Sequence, residues 1–364
     1  MQVPFFDLKR QYDELREPIH QALDAVMEKT AFSGGPFVDE FEKQLAAYNE
    51  TAWAVGLNSG TSALHLAMLA LGIGAGDEVI IPANTFIATA WGPSYAGATP
   101  VFVDCDPHTW NMDPVAAEKA ITSKTKAIIG VHLYGQPCDI DALMSICVKH
   151  HIHFIEDNAQ GIGATYKGKK AGTFGVLSCT SFYPGKNLGC YGEGGALFTN
   201  DKAIAEHCKS LRSHGATVRY YHDEVGYNYR MEGFQAAVLQ VKLAHIDRWN
   251  NRRREIVNRY REEIQNPKIT FQKSDEGANS VYHIAVVCVG DRENFTKFLE
   301  QNQIGFAFHY PVPCHLQKAY AHLGYKNGDF PNSEYQASHA VSLPLFPEMT
   351  DVEVDRVIEV IRKY

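Results

Sequence analysis

The 364-residue chain predicts an α/β fold, a mostly parallel sheet flanked by helices, followed by a smaller C-terminal α/β domain. Two observations carry this. Between residues 53 and about 210, short apolar runs alternate with segments of helical period, and the runs are apolar on both faces, as strands covered on both sides are. Past residue 234 a long charged helical stretch leads into a second, shorter alternation of strand and helix. The boundary is placed between a major domain of residues 1–245, which includes the N-terminal helices, and a minor domain of residues 246–364.

Taken in order, Asp7 to Lys29 reads as a polar helix, and the turn Ser33-Gly34-Gly35-Pro36 separates it from a second helix over Val38–Tyr48. Trp53–Leu57 is a strand leading into a helix from about Thr61, where Leu64, Met68 and Leu71 recur at helical spacing. Glu78–Ile81, Pro100–Val103, Ala127–Val131 and Phe154–Asp157 are further strands. Asp113-Pro114 opens one intervening helix by N-cap and first-turn proline, and Asp139 caps another. Leu177–Thr180 and Ala196–Thr199 are strand-like. A charged helix over Phe234–Ile264 follows, then a strand over Ser280–Val289, a helix over Arg292–Asn302, a strand over Phe306–Tyr310 and a closing helix over Asp351–Lys363. In such a sheet a ligand site is expected at the carboxyl ends of the strands.

Composition narrows the classes. Hydrophobic residues at 45% and charged residues at 21% are those of an ordinary globular enzyme, and a net charge of −8 argues against a general nucleic-acid binder. The eight cysteines contain no Cys-x-x-Cys pair, which suggests neither a zinc framework nor a disulfide scaffold but reduced thiols in a cytoplasmic protein. No targeting leader and no apolar run of membrane-spanning length is read. His150, His151 and His153 cluster without a carboxylate or cysteine at ligand spacing, so no metal is assigned there. Gly72-Ile73-Gly74-Ala75-Gly76 lies between helix and strand, the reverse of a dinucleotide fingerprint, and reads as a helix stop.

The stretch most loaded with chemistry is Ser181–Gly195, which holds one lysine, Lys186, among five glycines, a proline and three aromatics. A lysine clamped this way and withdrawn from water has a lowered pKa and can attack a carbonyl to form a Schiff base. Gly60-Thr61-Ser62, a tight turn at a helix start with free N–H groups and two hydroxyls, suits a phosphate and equally an ordinary helix cap. Asp157 ends an apolar strand, a place for a catalytic carboxylate or for a cap.

Ser-Phe-Tyr-Pro-Gly-Lys-Asn-Leu-Gly at 181–189 with Gly-Glu-Gly-Gly at 192–195 resembles the lysine loop of the DegT/StrS family of sugar aminotransferases. Asn58–Leu64, Pro82–Thr89, Glu156–Gln160 and Gly226–Met231 are similar to that family's other blocks, in the same order. The resemblance implies the fold type I architecture, pyridoxal 5′-phosphate as cofactor, and a homodimer with shared active sites. It assigns Lys186 to the cofactor aldehyde and to proton transfer, Asp157 to the ring nitrogen, Gln160 to the ring oxygen and Phe86 to the ring face. It gives Gly60, Thr61, Ser62 and Ser181 to the phosphate, together with Asn228 from the neighbouring subunit. Some relatives carry histidine at the lysine position and are dehydratases; Lys186 argues against that outcome.

Pro184–Gly189, Phe308–Pro313 and His315-Leu316-Gln317 resemble the branch that aminates C3 of dTDP-linked 3-keto-6-deoxyhexoses with L-glutamate as donor. In that branch Tyr183, His309 and Tyr310 are candidates for the sugar. Arg219 is a candidate for the pyrophosphate, which its planar fork suits, although a solvated loop arginine is an equal reading. Cys190 and Glu193 depart from the branch's usual Ala and Asp. The alternatives kept open are amination at C4, a UDP-linked sugar, a pyridoxal-binding regulator, and a structural protein with a dead site.

Overall fold

In the computed structural model, which describes residues 1–364, the chain opens with α1 (Leu8–Glu28), capped by the Asp7 carboxylate, and α2 (Pro36–Asn49), whose proline sits in the first turn where a missing N–H costs nothing. There follow β1 (Trp53–Leu57), α3 (Gly60–Ala70), β2 (Glu78–Pro82), α4 (Ala88–Tyr95), β3 (Thr99–Val103), α5 (Pro114–Lys119), β4 (Thr125–Val131), α6 (Ile140–His150) and β5 (His153–Asp157). Asp113 and Asp139 cap α5 and α6 as expected. A small ribbon of β6 (Thr165–Tyr166) and β7 (Lys169–Lys170) precedes β8 (Leu177–Ser181), β9 (Gly195–Thr199) and α7 (Lys202–Leu211).

The central sheet has seven strands in the order β1-β9-β8-β5-β4-β2-β3. Only β9 runs against its neighbours; every other pairing is parallel. The middles of strands β2, β4 and β5 are apolar because each face of the sheet has its own core. Ile81, Ile129 and Ile155 pack with Leu64 and Met68 of α3. Their chain neighbours Ile80, Ile128 and Phe154 pack with Leu143 and Cys147 of α6. Successive side chains of a strand point to opposite faces, so a strand covered twice favours apolar residues at both, and its polar residues need partners inside the protein. Val131 lies beside Asp157 and Asp157 beside Cys179 in the ladder, which brings three strand ends level where the site is built.

Beyond α7 an exposed hairpin of β10 (Ala216–Val218) and β11 (Tyr221–His222) leads to α8 (Gly233–Leu243) and α9 (Ile246–Glu263). The single helix expected over 234–264 is therefore two, interrupted at Ala244 and His245. The break has a packing reason: Leu239 and Leu243 belong to the core under α1 and α2, whereas Ile256, Val257 and Tyr260 belong to the C-terminal core.

The remaining elements are β12 (Ile269–Phe271), β13 (Ala278–Asn279), β14 (Ala285–Val289), α10 (Arg292–Gln301), α11 (Pro331–His339), β15 (Ala340–Leu343) and α12 (Asp351–Arg362). An antiparallel sheet β12-β14-β15 forms the C-terminal unit. Val3 from the N-terminus is buried in that unit's core, so the chain's first residues cross over to it. Two expected strands are shorter than predicted. Ser280–Ile284 is irregular, with the Val281 and His283 N–H groups donating to Gly135 and Tyr134, and Phe306–Tyr310 makes only a single bridge, Ala307 to Ser342.

Candidate active site

The loop between β8 and β9 is fixed by its own backbone: Phe182 N–H donates to Gly194 O, Cys190 N–H to Phe182 O and Lys186 N–H to Tyr183 O, each at 2.8 Å. Phe182, Leu188 and Cys190 are buried beneath it and anchor it to the core. Lys186 is thereby held over a cavity of about 610 Å³ at the carboxyl ends of the parallel strands. Enclosure by protein lowers its ammonium pKa to about 8, against a smaller raising influence from Asp157.

Asp157 faces the same cavity from the end of β5. It is 5% exposed, accepts from Thr89 Oγ1 at 2.8 Å and from the Ala159 N–H at 3.1 Å, and has no cationic side chain bonded to it. Burial raises its carboxyl pKa, and the two hydrogen bonds only partly offset that. Thr89 is itself bonded to Thr85 at 2.9 Å, so a hydroxyl chain supports the carboxylate. The neighbouring Glu156 points away, into the protein, where it accepts from Gly172, Phe174 and Gly175 N–H at 2.6, 2.9 and 2.8 Å and meets His132 Nε2 at 3.0 Å. Adjacent acids on one strand thus face opposite sides, one into the cavity and one as a structural clamp.

The third corner is the N-terminus of α3. Ser59 caps it by accepting from the Ser62 N–H at 3.0 Å, and the Ser62 hydroxyl donates to Asn58 Oδ1 at 2.6 Å. Both polar groups of Ser62 are therefore engaged within the turn, and Ser62 does not line the cavity. Gly60 and Thr61 do, beside Ser181. A Cβ on Gly60 would come within 2.8 Å of Ser181 Cβ, so glycine is what lets helix and lysine-loop strand close up into one cradle. Free N–H groups and the positive end of a helix favour an anion there.

Phe86, Gln160, Tyr183, His309 and Tyr310 also line the cavity. Gln160 accepts from the Tyr134 N–H at 2.6 Å and donates to Tyr310 OH at 3.1 Å, and Phe86 lies 5.4 Å from the Tyr310 ring. Burial, with Lys186 nearby, lowers the His309 pKa to about 4. Arg219 and Asn228 are elsewhere on this chain: both are exposed, Arg219 at the tip of the β10–β11 hairpin with its guanidinium 4.9 Å from the Tyr220 ring. The sequence reading missed Thr89, Phe5, Phe6 and His283. Phe5 stacks on His309 at 6.0 Å, placing the N-terminal segment in the cavity wall. A second cavity of about 840 Å³ near Arg10, Arg248 and Arg252 is no rival, since each arginine already has a carboxylate partner, Glu353, Glu14 and Asp351.

A sheet of this order with its site at the carboxyl strand ends is the architecture of the fold type I aminotransferases. More particularly, the chain belongs to the DegT/DnrJ/EryC1/StrS aminotransferase family, which it matches over residues 13–362. It is 44% identical to a pleiotropic regulatory protein of Geobacillus stearothermophilus over 100% of this chain and 99% of that one. It is 43% identical to the dTDP-3-amino-3,6-dideoxy-α-D-galactopyranose transaminase of Aneurinibacillus thermoaerophilus, with the same coverage. It is 42% identical to the dTDP-3-amino-3,4,6-trideoxy-α-D-glucose transaminase of Streptomyces venezuelae over 100% of this chain and 96% of that one. The solved structure of S. venezuelae DesV, in complex with a ketimine intermediate, superposes with a TM-score of 0.98 at 42% identity, covering 100% of this chain and 98% of that one.

Proposed function

We propose that the protein is a pyridoxal 5′-phosphate-dependent aminotransferase that carries the amino group of L-glutamate to the C3 keto group of a dTDP-linked 3-keto-6-deoxyhexose. The observation that carries this reading is the meeting of Lys186, the unpaired buried Asp157 and the α3 N-terminus in one cavity. These are the three groups the cofactor needs, and they fit it: an amine for its aldehyde, a carboxylate for its ring nitrogen and an anion cradle for its phosphate. When bound, pyridoxal phosphate supplies the electron sink that lets the carbon beside an amine lose a proton. The two dTDP-sugar transaminases among the relatives, alike in a 3-amino product, support the nucleotide and the position.

In this reading Asp157, supported by Thr89, keeps the ring nitrogen protonated. Lys186 first holds the cofactor and then, once freed by the incoming amine, moves the proton at the substrate carbon. Gly60, Thr61 and Ser181 bind the phosphate, Phe86 covers the ring face, and Gln160 has a second amide hydrogen for the ring oxygen. Tyr183, His309 and Tyr310 surround the sugar. Arg219 and Asn228 serve the cavity of a second copy, which makes a homodimer with shared sites the working assembly. Eight free, buried cysteines suit the reducing cytoplasm.

The test is the purified protein with pyridoxal phosphate: visible absorbance of the bound cofactor that L-glutamate bleaches, then amino-sugar formation from the dTDP-linked 3-keto sugar. A UDP-linked or 4-keto sugar turned over in its place would move the substrate assignment. Failure of the glutamate step would bring forward the regulatory role that one relative's name carries.

A further inference from the structure

Lys242 is fully buried on α8, a place few lysines occupy, and neither the proposed cofactor contacts nor the sugar candidates use it. No carboxylate pairs with it. Its Nζ donates to Gly189 O at 2.8 Å and lies 4.3 Å from the centre of the Tyr191 ring, so both neighbours of its charged end belong to the loop that carries Lys186. Burial lowers its ammonium pKa to about 8, against smaller raising influences from Cys190 and Glu348. A methionine has a similar length and would fill the same space without burying a charge. An unpaired cation set against a single loop carbonyl is thus a departure from core packing of the kind that functional sites impose.

Gly189 O and the Cys190 N–H belong to one planar peptide unit. The N–H donates to Phe182 O at 2.8 Å and the carbonyl accepts from Lys242 at 2.8 Å, so the unit is held from both sides. This unit closes the neck of the turn that presents Lys186. At the neck Gly189 lies against Pro184: a Cβ on Gly189 would come within 2.8 Å of the Pro184 carbonyl carbon. Gln235, two helical turns before Lys242 on α8, steadies the next peptide by accepting from the Tyr191 N–H at 3.0 Å. On the far side of the turn Asn187 Nδ2 donates to Asn250 Oδ1 at 2.8 Å and to Val281 O at 3.1 Å. Lys186 therefore sits between two anchors, one at Asn187 and one at the neck.

We infer that Lys242 is a positioning residue for Lys186: from beneath, its hydrogen bond to Gly189 O fixes the peptide that closes the lysine loop and so holds the Lys186 amine enclosed over the cavity. The inference rests on the aminotransferase reading for its purpose, and its first test needs no turnover.

In the cofactor-free full chain, acetylation by acetic anhydride is followed against pH at the Lys186 peptide by mass spectrometry; enclosure puts the wild-type midpoint near pH 8. Lys242→Met leaves Gly189 O without its donor and lets the turn loosen towards water. The midpoint is expected to rise by about one pH unit, roughly tenfold less free amine at pH 7. Leu299→Ala, a truncation on α10 in the C-terminal core, is expected to lower the melting temperature and leave the midpoint in place, which separates positioning from stability. In the holoenzyme, Lys242→Met is expected to slow bleaching by L-glutamate roughly tenfold, with cofactor retention on dialysis unchanged because the phosphate cradle is untouched. An unchanged midpoint in Lys242→Met, or an equal rise in Leu299→Ala, overturns the inference. If the methionine variant does not fold, Lys242→Gln, whose amide stops one atom short of the lysine nitrogen, is read in its place. A failed transaminase assay of the wild type, with the midpoint shifted in the variant, would count against the aminotransferase reading alone.

Discussion

Replacing Asp157 by asparagine separates the cost of this carboxylate from its use. The amide fits: its oxygen can accept from the Ala159 N–H, while its nitrogen faces Thr89 Oγ1, which can turn to donate to Thr85 instead. The site keeps its shape and loses one charge. For charges about 4 Å apart at an effective dielectric constant near 20, that is worth about 4 kcal/mol, roughly a thousandfold in rate if the whole charge pair is felt in the transition state. Stability moves the other way. Burial holds the folded-state carboxyl pKa above its ordinary value, so the protonated form favours folding; that contribution is present below the ordinary carboxylate range and is lost as pH rises through the raised value. Cofactor-free Asp157→Asn should therefore melt higher than wild type at pH 7 to 8, with the gap closing as the pH falls. The assays are single-turnover bleaching of the cofactor by L-glutamate and thermal melts of the cofactor-free proteins. Near wild-type turnover, or a variant that melts lower at neutral pH, would refute the assignment.

Lys186→Ala should abolish turnover while leaving non-covalent cofactor binding, measurable by dialysis equilibrium; retained turnover would sink the lysine assignment. Gly60→Ala should weaken cofactor affinity at least tenfold by forcing the cradle open against Ser181 and Thr180, 2.8 and 3.2 Å from the new carbon, with little change in circular dichroism. Arg219→Ala should raise KM for the nucleotide sugar and spare the glutamate half-reaction, which involves no diphosphate; an unchanged KM would return Arg219 to the solvent. Mixed dimers of Lys186→Ala and Asn228→Ala chains should recover activity that neither variant has alone, because one of the two cavities then has both groups intact. No recovery would mean that Asn228 does not serve the partner.

The sheet was legible because burial on both faces favours apolar residues at most strand positions, so the strands carry an apolar signature that local reading can find. The lysine loop and Asp157 were legible for a different reason: glycine, proline and a strand-end acid are unusual enough in sequence to stand out. Thr89 was not, because a threonine in a helix is unremarkable until the fold brings it 2.8 Å from a carboxylate 68 residues away. The division into α8 and α9 escaped because both halves are good helix; what breaks them is that their buried faces belong to different cores.

The expected strands that came out irregular are the ones that serve the cavity. Val281 to Ile284 has the composition of a strand, but two of its N–H groups go to the turn at Tyr134 and Gly135 instead of a ladder, and Tyr282 takes a positive φ of 43°. A non-glycine residue held there costs on the order of 1 kcal/mol and persists only where the surroundings impose it. What it achieves is orientation. A regular strand would alternate its side chains between two faces, whereas this path brings both His283 and its neighbour Ile284 to the cavity wall. The same holds at Phe308–Tyr310, where His309 and Tyr310 both reach the cavity from a segment with one bridge. The C-terminal unit thus delivers paired neighbours to the site by giving up strand geometry, and an alternation rule applied to its sequence would send one of each pair away from the cavity.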